Sequence, residues 1–154
     1  MLSNNKLDIL DCYAKGTITD GENNMGGLIG SLRTTGGTNL SLVDSYTSYS
    51  ILNKGETSGG CVGYSNVSVS SPTSIVDVFW EKNLAVGEVL KSVGTIATAT
   101  TPLNFQDKTT DEMKYRTTFA NWNFDVWAIN ERVDTPYLRF ENGFKQYVEN
   151  TDKK

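Results

Sequence analysis

The chain of 154 residues contains no histidine. Without an imidazole, neither a serine nor a cysteine nucleophile can be paired with its usual base. Zinc loses its commonest nitrogen ligand for the same reason. Cysteine is nearly absent as well. Cys12 and Cys61 stand in no CxxC spacing, and they read as two buried free thiols. No apolar run approaches the ~20 residues of a membrane-spanning helix, so no membrane insertion is expected. Basic charge is not in excess: 14 Lys and Arg face 18 Asp and Glu, for a net charge of −4. A nucleic-acid partner therefore has no electrostatic footprint here. The glycine-rich stretch GGTNLS (36–41) lacks the lysine and the strand-to-helix context of a phosphate loop. The opening MLSNNKLDIL lacks the basic head and apolar core of a secretory leader. Met1 is therefore expected to begin a segment excised from a longer chain.

What the chain has in quantity is Gly, Ser, Thr and Asn, with only three prolines. That mixture suits short strands and turns better than helices. It is also arranged periodically. From Leu7 the chain runs LDILDCYAKGTITDGENNMGGLIG, and from Leu40 it runs LSLVDSYTSYSILNKGETSGGCVG. Asp11 and Asp44 are 33 residues apart, as are Tyr13 and Tyr46, Ile18 and Ile51, and the pairs Gly26–Gly27 and Gly59–Gly60. One further step reaches Asp77, with Ile75 and Phe79 in the matching places. Fixed self-similarity at this period marks a repeat architecture.

Each copy alternates strands with polar or glycine-rich turns. Ile9, Leu42 and Ile75 fall in one column; so do Leu10, Val43 and Val76; Cys12, Ser45 and Val78; and Ile18, Ile51 and Leu84. Stacked parallel strands would bury each copy against the next. The paired glycines suit a backbone that needs positive φ or close approach. The expected fold is all-β: a parallel β-solenoid of about three 33-residue coils, wound right-handed. The coils occupy 7–32, 40–65 and a degenerate 73–98, where Ser92 and Val93 replace the expected glycines. Composition shifts near Pro102. Thr109 and Glu112 stand at capping-box spacing, so a short α-helix is expected to about Thr117. NWNFDVWAIN and PYLRF follow, carrying Trp122, Phe124, Trp127, Ile129, Tyr137, Leu138 and Phe140. Residues 101–148 are expected to form a C-terminal cap of one helix and strands over the open sheet end. Residues 149–154 are expected to be a disordered polar tail.

DCYAKGTITDGENNMGGLIG resembles the GLUG repeat, an Asn/Asp-Cys/Ser-Tyr strand followed by a Gly-Gly-Leu-Val-Gly turn. DSYTSYSILNKGETSGGCVG is a looser copy, with Cys61 where Leu is usual. The ending is also similar to that family's closing element, through Thr109, Thr110, Met113, Lys114, Trp122, Phe124, Trp127, Pro136, Tyr137 and Leu138. The resemblance implies an adhesin-like bacterial protein, secreted or held at the cell surface, in which the repeat carries no catalytic residues.

Two columns are candidates for function. Asp11, Asp44 and Asp77 would form a ladder of carboxylates about 5 Å apart, which repel unless solvated, hydrogen-bonded or bridged by a cation. The functional readings are a Ca²⁺ site or the acid cluster of a polysaccharide hydrolase; the plainer one is an exposed corner. Tyr13, Tyr46 and Phe79 would form an aromatic column. If Leu10, Cys12 and Ala14 point inward, alternation turns Tyr13 outward beside Asp11. Such a strip could meet a host glycan or a surface protein. No enzyme activity, catalytic residue, metal or cofactor is expected. Expected partners are that ligand and further repeats or domains upstream in the parent chain.

Overall fold

The computed structural model describes residues 5–19, 21, 23–51, 57–82, 91–98 and 100–141. Leu84 and the 149–154 tail, each the subject of an expectation above, lie outside the described residues. The chain is mostly β, and it divides into two compact units, Met1–Thr110 and Asp111–Lys154.

The first unit holds two parallel sheets. One contains β1 (Lys6–Leu10), β2 (Tyr13–Ile18), β5 (Asn39–Ile51), β7 (Thr73–Glu81) and β9 (Gln106–Lys108). Strands β1 and β2 both pair with β5, which pairs with β7, which pairs with β9. The other contains β3 (Met25–Gly26), β4 (Ile29–Thr34), β6 (Ser58–Val67) and β8 (Lys91–Ile96), with β3, β4 and β8 all paired to β6. The period of the sequence is the register of the sheets. Leu10 lies beside Val43 and Val43 beside Val76; Tyr13 lies beside Tyr46 and Tyr46 beside Phe79. Gly26 likewise meets Gly59, and Ile29 meets Val62. Identical steps of chain between parallel neighbours place each residue next to its own counterpart. Strand β8 departs from this. Its partners of Gly59 and Val62 are Lys91 and Val93, with a shift between them, so the third copy is a little shorter than the first two.

One core joins the sheets. Leu42, Tyr49, Ile51, Val78 and Trp80 come from one; Met25, Leu32, Cys61, Val62 and Val93 come from the other. Cys61 is buried as expected, but Cys12 is exposed and both thiols are free. Ser45 and Val78, the column-mates of Cys12, are buried, so the exposure of Cys12 follows from its place in the first copy, which among the described residues has a paired strand on one side. Ile9, Leu42 and Ile75 pack on the core, so their neighbours Leu10 and Val76 face out, and Leu10 is 50% exposed. The expected inward orientation of Leu10 is thus reversed.

In the second unit the expected α-helix is replaced by two 3-10 turns, Glu112–Lys114 and Arg116–Phe119, separated by Tyr115 in an extended conformation. Asp111, not Thr109, is the N-cap, and it makes no side-chain capping bond. Met113 and Phe119 are both fully buried. Six residues is about one and two-thirds α-helical turns, which would put them about 120° apart around the axis. The extended break lets both turn inward. Phe119, Trp122 and Trp127 pack ring on ring, at centroid distances of 4.6 and 4.4 Å. Strands β10 (Trp127–Ala128) and β11 (Tyr137–Leu138) form a small antiparallel pair. Phe140, expected among the apolar cover, is 70% exposed.

Candidate functional site

Asp11, Asp44 and Asp77 stand at the same bend in successive copies, at φ of 50, 46 and 50°. Asp is one of the few side chains that tolerates this left-handed region, because its short carboxylate can bond locally to the backbone. The bend is stitched across copies. The Asp11 amide donates to the Val43 carbonyl at 3.2 Å. The Cys12 amide donates to Ser45 Oγ at 3.1 Å, and that hydroxyl donates to the Val43 carbonyl at 2.8 Å. Asp44, the middle rung, has its carboxyl pushed above the usual range. Partial burial is the larger cause, and the like charges of Asp11 and Asp77 add to it. Among the described residues no three Asp, Glu or Cys side chains are grouped so as to hold a metal ion.

The aromatic column exists but is mostly not a surface. Tyr13 and Tyr46 stack at 5.3 Å with ring planes 6° apart. Tyr46 is fully buried and Phe79 is 3% exposed; only Tyr13 is partly accessible. The alternation used to orient the column fails at the aspartate. Beyond Asp44, Ser45, Thr47, Tyr49 and Ile51 follow one face and are buried, yet Tyr46 between them is buried too. Lysines flank the column: Lys15 Nζ lies 5.9 Å from the Tyr13 ring centre and Lys108 Nζ 5.6 Å from that of Phe79. A concavity of about 140 Å³ runs along β2 past Lys15 and Gly16 to Tyr49. That is below the ~300 Å³ at which small-ligand sites begin.

Known protein-family models, curated proteins and solved structures yield no match to this chain.

One polar feature escaped the sequence reading. Glu81, at the end of β7, is 5% exposed. Its Oε2 accepts from Ser48 Oγ at 2.5 Å, and its Oε1 accepts from Thr110 Oγ1. Two hydroxyl donors offset part of the cost of burying a carboxylate. The only signal in the sequence was a lone acid closing the apolar run VFWE. Nearby, Lys82 Nζ contacts Asp107 Oδ2 at 2.7 Å and, chiefly through that hydrogen bond, holds the Asp107 carboxyl below its usual range.

Proposed function

We propose that this chain is a non-catalytic repeat module of an adhesin-like bacterial protein, secreted or displayed at the cell surface, of the GLUG-repeat kind. In this reading the two parallel sheets are successive coils of a β-solenoid, and the module serves as a stalk or as a ligand-presenting surface. The observation that carries it is the constant 33-residue register from β1 through β5 to β7, matched by β4 and β6 in the other sheet. A stack built this way extends by adding copies, which suits a spacer. The aspartates serve the bends, each in a backbone conformation that few side chains accept. Further copies or another domain of the parent chain would continue the stack at β1 and β2.

The alternative, a carbohydrate-active or protease-accessory domain that binds glycan through the aromatic and acidic columns, has less support. Burial of Tyr46 and Phe79 leaves Tyr13 as its accessible ring. The test is a screen of the purified chain against glycans and host surface proteins, with hydrolase assays on polysaccharides, peptides and esters. No turnover is expected. Turnover that disappears in Asp11→Ala or Asp44→Ala would overturn the non-catalytic reading, and glycan binding abolished by Tyr13→Ala would favour the alternative.

A further inference from the structure

In the second unit, Arg116, Phe124, Ala128, Ile129, Glu131 and Arg139 line one open concavity of about 360 Å³. That volume lies within the ~300–1,000 Å³ of small-ligand sites. Both guanidiniums are held from behind. Arg139 Nε donates to the Phe124 carbonyl at 2.7 Å and to the Trp127 carbonyl at 3.1 Å. Those bonds occupy its Nε–H and leave the two terminal amino groups, four N–H donors in a flat fork, for another acceptor. The Arg116 guanidinium carbon sits 3.9 Å from the centre of the Phe124 ring, so the ring fixes its plane while its edge stays open. Among the described residues neither arginine forms an ion pair with a carboxylate. The platform beneath is rigid, because Trp127 is fully buried against Trp122.

Among the described residues Glu131 is the one acid in the lining, and its Oε1 accepts the Arg116 backbone N–H at 3.0 Å. The site therefore carries an excess of one positive charge in a chain whose net charge is −4. A single carboxylate balances that excess, whereas a phosphate dianion would meet Glu131. Ala128 and Ile129 add a half-buried apolar wall.

The geometry points to a binding site for an acidic monosaccharide residue, a ring about the size of one hexuronic acid bearing one carboxylate. The carboxylate lies in the arginine forks, where planar bidentate donors match it. Ring hydroxyls donate to Glu131, and the apolar face of the ring rests on Ile129. This site uses none of the residues of the aspartate and aromatic columns, and it stands or falls apart from the repeat-module reading.

The test is titration of the ¹⁵N-labelled full chain, followed by NMR, with glucuronate, glucose, acetate and inorganic phosphate. Glucuronate should shift the amides of Phe124, Ala128, Ile129 and Glu131 saturably, with a Kd of about 1 mM or tighter. Glucose and acetate should bind at least about tenfold more weakly, since each lacks half of the recognition. Arg116→Gln should weaken glucuronate binding about tenfold while leaving the Trp127 indole signal in place. Arg139→Lys keeps the charge but loses the fork, and should weaken binding similarly. If it fails to fold, Arg116→Gln alone decides. Lack of saturation by glucuronate, equal binding of glucose or of acetate, tighter binding of phosphate, or unchanged binding in Arg116→Gln would each overturn the proposal.

Discussion

The indole of Trp80 lies over Gly60, so closely that a Cβ there would stand 2.6 Å from ring atom Cδ2. Gly27, its counterpart in the first copy, is covered in the same way by Thr47 and Tyr49. Neither glycine has a positive φ. Gly27 and Gly60 therefore serve close approach between the two sheets and not a special backbone conformation. Tyr49 adds a bond across the same gap, donating its hydroxyl to the Gly59 carbonyl at 2.9 Å.

Gly60→Ala should accordingly cost about 2–3 kcal/mol in urea denaturation, the upper part of the range for forcing atoms into a packed core. Gly37 provides the contrast. It has a φ of 83° but open space where a Cβ would go, so Gly37→Ala should cost only about 1 kcal/mol of backbone strain. Equal costs for the two would show that contact with Trp80 is not what excludes a side chain at Gly60.

Asp44→Asn should be neutral or mildly stabilising at neutral pH. The folded-state pKa of Asp44 is raised above 3.8, so the folded protein binds more protons than the unfolded chain in the window just above that value. Stability contributed by this group therefore falls as pH rises through the window. Asn removes that slope and still accepts a left-handed φ. Melting temperature against pH checks it. A marked loss of stability in Asp44→Asn would mean that the carboxylate has a bound partner, and would revive a Ca²⁺ site.

Ile18 and Ile51 are neighbours in register but not in environment. Ile51 is 2% exposed in the core, whereas Ile18 is half-buried on β2. Ile51→Asp should prevent folding, at a cost above about 4 kcal/mol for an unpaired buried charge. Ile18→Asp should be folded but destabilised. Circular dichroism with urea titration distinguishes them; equal effects would refute the difference in burial.

Among the described residues strand β1 pairs only with β5, whereas β5 has neighbours on both sides. In hydrogen exchange, amides from Leu7 to Ala14 should exchange faster than those from Val43 to Thr47. Slower exchange at Leu7–Ala14 would show that something else protects the β1 edge.

Removing everything after Pro102 should make the protein insoluble. The deletion takes away β9, which covers the edge of β7, together with the buried Leu103 and the Thr110 hydroxyl that bonds Glu81. A long unpaired strand edge and a half-satisfied buried carboxylate both favour aggregation. Size-exclusion chromatography of the truncated chain decides; a soluble, folded monomer would show that β9 is dispensable.

Much of this was legible beforehand. The 33-residue spacing of Asp, Tyr, Ile and Gly-Gly pointed to parallel strands in register, and the strands pair at that spacing. The columns through Leu42 and Ile51 pointed to the core. The short α-helix was not borne out, because a capping box reports only local preference. Burying both Met113 and Phe119 required an extended residue at Tyr115. The concavity between Arg116 and Arg139 was invisible, since its two guanidiniums are 23 positions apart in sequence and are brought together by the turns between them.

Composition and period suffice to say that this chain forms parallel β-strands whose copies lie side by side, because a repeated pattern satisfies each strand with the equivalent strand of the next copy. Which side chains face inward was decided only in three dimensions. Alternation along a strand holds only while the backbone stays extended. One left-handed aspartate per copy interrupts it, so Ile75 before Asp77 and Val78 after it both pack on the core although they are three residues apart, while Leu10 and Val76 are exposed. Burial itself depends on surfaces contributed by residues far away in the chain, and no local pattern specifies them.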